Sequence, residues 1–316
     1  MMTAAADTQA RVAIVLPTYN GEKHLAAQLD SLLTQDYPDF VIVARDDGST
    51  DSSEKILHVY AQQNPERIRV LPSESENRGA CGSFSVLFEY VLAHKETLGL
   101  SSAYVMCCDQ DDVWYPDKIR RSMDAMRELE AAHPHRACLV HSDLRVVDEN
   151  GQVLADSFFQ YQDIRPHKRR FARMLVSNSV TGCTALCNEK LVQMSSPVPD
   201  GAVMHDWWLA LVVSAFGAIH TIEAPLLDYR QHGANTLGAR EYRRSALTPA
   251  KFGRLFDPGY DAVTQQLTRQ AEAFAGVYSQ RLSNGRVLVL AMALGMGSRF
   301  RLWRNVVFRA LMAFGR

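Results

Sequence analysis

The sequence lacks the features that identify several large classes of protein. None of its six cysteines forms a C-x-x-C pair, the spacing typical of zinc and redox sites. Residues 1–10 have no basic segment followed by an apolar run, so we expect no secretory signal. No internal repeat or low-complexity stretch is present. With 316 residues, 47% of them hydrophobic, we expect a globular, enzyme-sized protein in the reducing cytoplasm.

The net charge is also small, but the charged residues are unevenly placed along the chain. The formal net charge of -1 gives no general attraction to nucleic acid, and we expect no nucleic-acid partner. Positive charge instead collects at the C-terminus, where seven arginines and no acidic residue follow Glu272. The apolar run 287–297 has 11 residues, fewer than the roughly 20 that a membrane-spanning helix needs.

Residues 300–309 mix arginine with Trp, Phe and Val, a composition typical of a helix that lies in the lipid interface. They therefore predict contact with an anionic membrane surface. The alternative is a basic helix that docks on the protein's own surface or on a partner subunit.

Up to about residue 115, short apolar runs alternate with amphipathic stretches, as in the β-α units of a parallel sheet. The predicted strands cover residues 12–16, 41–44, 68–71 and 104–108. Each is followed by polar residues, and in open α/β sheets ligands bind beyond the carboxyl ends of the strands. We therefore expect these groups to face one crevice: Thr18-Tyr19-Asn20, Asp46-Asp47-Gly48, Asn77-Arg78-Gly79 and Asp109-Gln110-Asp111-Asp112.

The order of elements changes after Pro116. The pattern predicts a helix to about Glu130, a strand at 139–147 that turns back into 152–155 and a strand at 183–187. It then predicts a buried helix at 206–216 and an extended segment at 219–229 that is broken by Pro225. We divide the chain into 1–115, a nucleotide-sugar-binding α/β half; 116–240, an acceptor-binding and catalytic half; and 241–316, a helical extension.

Asp109 and Asp111 offer hard oxygen ligands to Mg²⁺ or Mn²⁺. Taken alone, an Asp-x-Asp triplet is more often a solvated turn than a metal site. Asp47 lies in a segment that could equally be a turn or a helix cap, or could accept the imide N–H of a pyrimidine base. Arg78 could contact phosphate or stay solvated.

Asp206 begins an apolar helix, where it could favour the helix N-terminus or serve as a catalytic base. Its neighbours Trp207 and Trp208 could line an acceptor or sugar pocket, although tryptophans at such positions are more often core. His232 follows an extended segment and could bind metal or phosphate, or could be structural.

Five motifs in this order resemble the family 2 glycosyltransferases with the GT-A fold, a Rossmann-like, mostly parallel sheet flanked by helices. They are Val-Leu-Pro-Thr-Tyr-Asn-Gly-Glu, Arg-Asp-Asp-Gly-Ser-Thr-Asp, Asn-Arg-Gly, Cys-Asp-Gln-Asp-Asp-Val-Trp and His-Asp-Trp-Trp. Within that family, Thr-Gly-Cys-Thr at 181–184 and Tyr-Arg-Gln-His-Gly-Ala-Asn at 229–235 look most like bacterial rhamnosyltransferases.

The resemblance implies roles for individual residues. Pro17, Tyr19, Asp47, Arg78 and Asp109 would contact the nucleotide sugar, Asp109 and Asp111 with His232 would hold the metal, and Asp206 would be the catalytic base. Many relatives carry Glu-Asp where this chain has His205-Asp206, so the resemblance gives no role to His205.

The implied function is inverting transfer of L-rhamnose from dTDP-β-L-rhamnose to a saccharide or lipid-linked saccharide acceptor. This step would belong to surface polysaccharide biosynthesis at the inner face of the cell membrane. One alternative is a family 2 enzyme that uses a UDP-sugar. A sugar nucleotidyltransferase would show a Gly-rich basic loop after the first strand, which Pro17-Thr18-Tyr19-Asn20 is not. A non-catalytic nucleotide-sugar-binding protein would keep the fold without the chemistry.

Overall fold

A single mixed β-sheet runs through the molecule, and helices cover both of its faces. The computed structural model describes residues 10–72, 76–232 and 258–314. Its strands lie in this order across the sheet: Ile68–Val70, Phe40–Asp46, Val12–Thr18, Tyr104–Cys107, Leu186–Cys187, Ala137–Val147, Gly217–Arg230 and Val113–Trp114, with Val153–Ala155 paired to Ala137–Val147.

The first four strands are parallel, as the apolar runs predict. They are β1 (Val12–Thr18), β2 (Phe40–Asp46), β3 (Ile68–Val70) and β4 (Tyr104–Cys107). The connecting helices are α1 (Leu25–Leu33), α2 (Ser53–Gln63) and α3 (Gly79–Ala93). The seven residues of β2 are all buried, which explains why its first five, 40–44, are continuously apolar rather than alternating.

The second half of the chain extends the same sheet. Its elements are β5 (Val113–Trp114), α4 (Lys118–Ala132), β6 (Ala137–Val147), β7 (Val153–Ala155), α5 (Phe158–Tyr161), α6 (Phe171–Met174), β8 (Leu186–Cys187), α7 (Glu189–Ser195), α8 (His205–Phe216) and β9 (Gly217–Arg230). β8 is antiparallel to both β4 and β6. Strands from residues 1–115 and from residues 116–240 thus share one sheet.

Two predictions need correction. The strand expected at 183–187 is only Leu186–Cys187, because Gly182–Thr184 forms a 3₁₀ turn in which the Thr184 hydroxyl donates to the Thr181 carbonyl. The extended segment 219–229 is not broken at Pro225. It continues as β9, and its register with β6 shifts opposite Asp143 to accommodate the missing N–H.

Three C-terminal helices pack against one face: α9 (Pro258–Tyr278), α10 (Asn284–Leu294) and α11 (Arg301–Phe314). α11 buries Val307 and Leu311, and its Arg304 guanidinium pairs with Asp261 of α9 at 2.6 Å. One face of the predicted basic helix therefore docks on the protein itself. Within the described ranges, no helix combines the length and the hydropathy needed to cross a bilayer.

The buried side chains form two layers, one on each side of the sheet. α1 and α4 pack on the side of Val12, Ile14 and Leu16, whereas α3, α8 and the C-terminal helices pack on the side of Ala13 and Val15. Because β1 pairs in parallel with both β2 and β4, the loops after these three strands lie at the same edge of the sheet.

Candidate active site

A cleft of about 600 Å³ lies at the carboxyl ends of the parallel strands, and the start of α8 forms its opposite wall. Its lining comprises Pro17, Thr18, Tyr19, Asp47, Asn77, Gly79, Ala80, Ser83, Phe84, Asp109, Gln110, Asp111, Phe158, Ile164, Asn178, Ser179, Val180, Thr181, Gly182, Met204, His205, Asp206 and Tyr229. The four polar groups expected at one crevice all contribute to it, so the predicted convergence is confirmed.

Five of the predicted nucleotide-sugar and metal residues line this cleft: Pro17, Tyr19, Asp47, Asp109 and Asp111. Arg78 does not line it. It stands exposed before the first turn of α3, and its backbone N–H donates to the Asp47 carboxylate at 3.0 Å. The structure therefore gives Arg78 a part in orienting Asp47 through its backbone.

Asp46, the last residue of β2, and Asp47, which follows it, have different roles. Asp46 accepts from the backbone N–H of Ser49 at 2.8 Å and from the Thr18 hydroxyl at 3.0 Å, which fixes the loop. Asp47 is buried beside the Arg45 guanidinium, 3.1 Å away. A buried carboxylate needs such a partner, and Arg45 supplies it to Asp47 at the floor of the cleft.

Gln110, between the two predicted metal ligands, joins two loops. Its side chain accepts from the Tyr19 backbone N–H at 2.9 Å and donates to the Tyr19 carbonyl at 3.0 Å. A Cβ on Gly21 would lie 2.3 Å from the Gln110 amide oxygen, so this approach requires glycine. Gln110 belongs to a group predicted to face the crevice, but no role was predicted for it there.

Carboxylates crowd the centre of the cleft. Burial, together with the charges of Asp111 and Asp206, raises the pKa of Asp109 to about 7. Such crowding is costly unless a cation or a proton neutralises it. The donor set of Asp109 and Asp111 thus fits a divalent ion.

A second group that could hold a metal lies behind this pair. Ligand atoms of Asp109, Asp112 and Cys183 lie within 4.8 Å of one another. Burial raises the pKa of Asp112 and that of the Cys183 thiol well above their usual ranges. A buried thiol is a poor partner for Mg²⁺ or Mn²⁺, which prefer oxygen, so the pair that faces the cleft suits those ions better.

His232 reaches the site from the end of β9. Its Nε2 lies 2.9 Å from the Asp111 carboxylate, so the structure brings two of the predicted metal ligands together. The His24 ring, which was not predicted, lies 5.0 Å from the His232 ring. Gly233, Ala234 and Asn235, predicted to continue this loop, lie outside the described residues.

Asp206 occupies the first turn of α8, opposite the strand ends. Its carboxylate accepts from the backbone N–H of Gly182 at 3.0 Å and from its neighbour Trp207 at 2.5 Å. Burial nevertheless raises the pKa of Asp206 to about 7, against the effect of these hydrogen bonds. The group is therefore a stronger base than an ordinary aspartate.

His205 lies beside Asp206 on the inner wall of the cleft. Its ring stacks on Phe84 at 3.6 Å between centroids, and neither ring nitrogen has a hydrogen-bond partner among the described residues. Burial lowers the pKa of His205 to about 3, so the ring is neutral near pH 7.

The tryptophans at 207 and 208 were predicted to line an acceptor or sugar pocket, and the structure corrects this. Trp208 is buried in the core against Phe274, and its indole N–H donates to the Ser195 carbonyl. Trp207 turns away from the cleft, and its N–H donates to the Met174 carbonyl at 2.6 Å. Adjacent helical residues point about 100° apart, and here Asp206 takes the direction of the cleft.

Comparison with known proteins agrees with this geometry. The sequence profile described as glycosyl transferase family 2 matches residues 13–192. The chain is 25% identical to the dTDP-rhamnosyl transferase RfbG of Shigella flexneri over 94% of this chain and 98% of that one. It is 26% identical to the putative teichuronic acid biosynthesis glycosyltransferase TuaG of Bacillus subtilis (strain 168), over 69% and 78%.

Solved structures share the fold. Residues 1–349 of S. aureus TarS, in complex with UDP-GlcNAc, align with a TM-score of 0.56 and 15% identity, over 90% of this chain and 70% of that one. The mannosyltransferase PcManGT of Pyrobaculum calidifontis, in complex with GDP-Man and Mn²⁺, aligns with a TM-score of 0.50 and 17% identity, over 97% and 86%. The predicted GT-A fold, with its helical C-terminal region, is confirmed.

Proposed function

This chain belongs to glycosyl transferase family 2, and we propose that it transfers L-rhamnose from dTDP-β-L-rhamnose, with inversion, to a hydroxyl of a saccharide acceptor. The observation that carries the proposal is the position of Asp206, across one cleft from Asp47, Asp109 and Asp111. Similarity to a dTDP-rhamnosyl transferase over nearly the whole of both chains supports rhamnose as the sugar.

In this proposal the transfer is one in-line displacement. Asp206 takes the proton of the acceptor hydroxyl, the hydroxyl oxygen bonds to the anomeric carbon, and the bond from that carbon to the diphosphate breaks. No carboxylate has to form a covalent sugar intermediate, which distinguishes this route from a two-step one. The carboxylate of Asp47 would accept the imide N–H of the thymine base, and Pro17 and Tyr19 line the same part of the cleft.

Asp109, Asp111 and His232 would hold a divalent ion, Mg²⁺ or Mn²⁺. When bound, such an ion supplies positive charge to the departing nucleoside diphosphate. The crowding of Asp111 and Asp206 around Asp109 supports a cation at this position. PcManGT, which shares the fold, was solved with Mn²⁺.

The acceptor would be a saccharide or lipid-linked saccharide for a surface polysaccharide, met at the inner face of the cell membrane. Exposed apolar side chains on the outer face of α11 support peripheral association. Leu302 is 73% exposed, Trp303 54% and Val306 51%.

A panel of nucleotide sugars tests the donor. dTDP-β-L-rhamnose should raise the melting temperature more than UDP-GlcNAc or GDP-mannose does, since a ligand that binds only the folded state stabilises it. It should also release dTDP in a metal-dependent reaction. A UDP-sugar that acts best would refute rhamnose, and stabilisation without release would favour a non-catalytic binding protein. Pyrophosphate release from dTTP and a sugar 1-phosphate would indicate a nucleotidyltransferase.

A further inference from the structure

A second concentration of positive charge lies outside the C-terminal helices, in residues 165–173. This basic segment, which was missed at the level of the sequence, holds six potential cations: Arg165, His167, Lys168, Arg169, Arg170 and Arg173. The only acidic residue close to it in the sequence is Asp163, whose carboxylate lies 4.0 Å from Arg165.

The basic segment lies between the cleft and the C-terminal helices. Ile164, immediately before it, lines the cleft, and so do Asn178 to Gly182 after it. Between these two parts of the cleft lining in the sequence, α6 packs against α10 and α11. The centroid of the Phe171 ring lies 5.4 Å from that of Phe274 in α9. The basic segment thus begins beside a residue of the cleft lining and ends in a helix that contacts the C-terminal helices.

Three of these arginines have no acidic partner among the residues that the structure describes. Within the described part of the chain, no carboxylate lies within ion-pair distance of Arg169, Arg170 or Arg173, and Arg169 donates only to the Thr221 hydroxyl, at 3.3 Å. Burial lowers the pKa of Arg169 and of Arg173, and at Arg173 the charge of Arg165 lowers it further. Partly desolvated cations that repel one another favour an external anion.

The neighbouring apolar surface indicates which anion. On α11, the face opposite Val307 and Leu311 exposes Leu302, Trp303 and Val306, and Phe300 before it is 62% exposed. Exposed Trp, Phe and Leu beside arginine are the combination that inserts among anionic lipid headgroups. A soluble anion would need the cations and not the apolar face.

We propose that the basic segment 165–173 and the exposed face of α11 form one surface that binds an anionic lipid bilayer. Bound in this way, the segment places Ile164, and with it one wall of the cleft, next to the membrane. This surface would account for the membrane association in the proposed function. Only the conclusion that the cleft beside the membrane transfers sugar rests on that function. Vesicle binding needs no nucleotide sugar, so it stands or falls independently of the donor.

The test is vesicle flotation of the full-length protein with phosphatidylcholine alone or mixed with phosphatidylglycerol. The variant carries Arg165→Gln, Arg170→Gln and Arg173→Gln. Its matched control carries Arg120→Gln, Arg121→Gln and Arg127→Gln on α4, which packs on the other face of the sheet. We expect the first variant to bind the anionic vesicles about 100-fold more weakly, and the control to bind like the wild type.

A second variant, Leu302→Ser with Trp303→Ser, tests the apolar half and should also weaken binding. Wild-type affinity of the 165–173 variant would overturn the proposal, and so would an equal loss in the α4 control. Equal binding of the wild type to neutral and anionic vesicles would overturn it too. If the 165–173 variant kept vesicle binding but lost thermal stabilisation by inorganic pyrophosphate, the segment would serve a free phosphate and the bilayer assignment would be wrong.

Discussion

The Asp206 carboxylate accepts the backbone N–H of Gly182 at 3.0 Å, which ties the start of α8 to the turn before β8. Both residues line the cleft, so the hydrogen bond fixes the direction of the carboxylate toward its interior. A base must be held within hydrogen-bond reach of the proton that it removes. The contact between Gly182 and Asp206 supplies that restraint without a further side chain.

Asp206→Asn should bind the donor with near-normal affinity but transfer sugar about 10²- to 10⁴-fold more slowly, because the amide cannot take a proton. Donor affinity measured by calorimetry and turnover measured by dTDP release would separate the two effects. Asp200→Asn, an exposed aspartate outside the cleft lining, is the matched control and should keep normal turnover. Near-normal turnover of Asp206→Asn would show that another group is the base.

Gly182→Ala should lower turnover strongly, because the new Cβ would lie 2.8 Å from His205 Nε2 and 3.5 Å from the Asp206 Cβ. The imidazole is stacked on Phe84 and cannot retreat without moving the wall of the cleft. Gly276→Ala in α9 is the control, since a Cβ there meets nothing within 4 Å and alanine favours a helix. Equal turnover of the two variants would contradict the tight packing inferred at Gly182.

Chelation of divalent ions should abolish transfer, and Mg²⁺ or Mn²⁺ should restore it. His232→Asn should raise the ion concentration needed for half-maximal rate by about 10- to 100-fold, because the imidazole lies 2.9 Å from Asp111. The exposed His220 on β9 provides the control His220→Asn, which should leave the requirement unchanged. A metal titration of the initial rate measures both, and activity that persists in excess chelator would exclude the proposed ion.

His141 should make the protein less stable in acid. Burial lowers the pKa of His141 to about 3, whereas in the unfolded chain it is about 6.5. Between these values the unfolded chain binds a proton that the folded protein does not, so stability falls as the pH falls through 6.5. The contribution reaches about 1.4 kcal/mol per pH unit.

Urea unfolding from pH 7 to pH 4.5 measures this dependence. Relative to the wild type, His141→Gln should lose part of the acid sensitivity, and the difference between the two proteins isolates His141 from the other titrating groups. The exposed His58 supplies the control His58→Gln, which should follow the wild type. Parallel pH profiles for His141→Gln and the wild type would contradict the assignment.

The parallel half of the sheet was predictable because burial makes β1, β2 and β4 largely apolar, and the bounds of all four parallel strands agree with the prediction to within two residues. The meeting of Asp47, Asp109 and Asp111 followed from that, since parallel strands end at one edge. β8 was predicted too long because the hydrogen bonds of Gly182 and Thr184 are tertiary or local to a turn and leave no periodic signal.

The side-chain roles were less accessible. The side chains of Asp206, Trp207 and Trp208 point in different directions from α8. One helical turn of sequence does not define which of these directions faces the core. The cations of 165–173 were overlooked for a similar reason, because their significance comes from α10 and α11, more than a hundred residues away in the chain.

The reciprocal hydrogen bonds between Gln110 and the Tyr19 backbone join the loop after β1 to the loop that carries Asp109 and Asp111. A ligand that orders one loop would therefore also order the other. The first ligand to bind would bear the entropic cost of ordering both loops. By thermodynamic reciprocity, the donor should raise the affinity for the ion by the same factor that the ion raises the affinity for the donor. A single amide side chain would thus make the proposed binding of donor and ion cooperative.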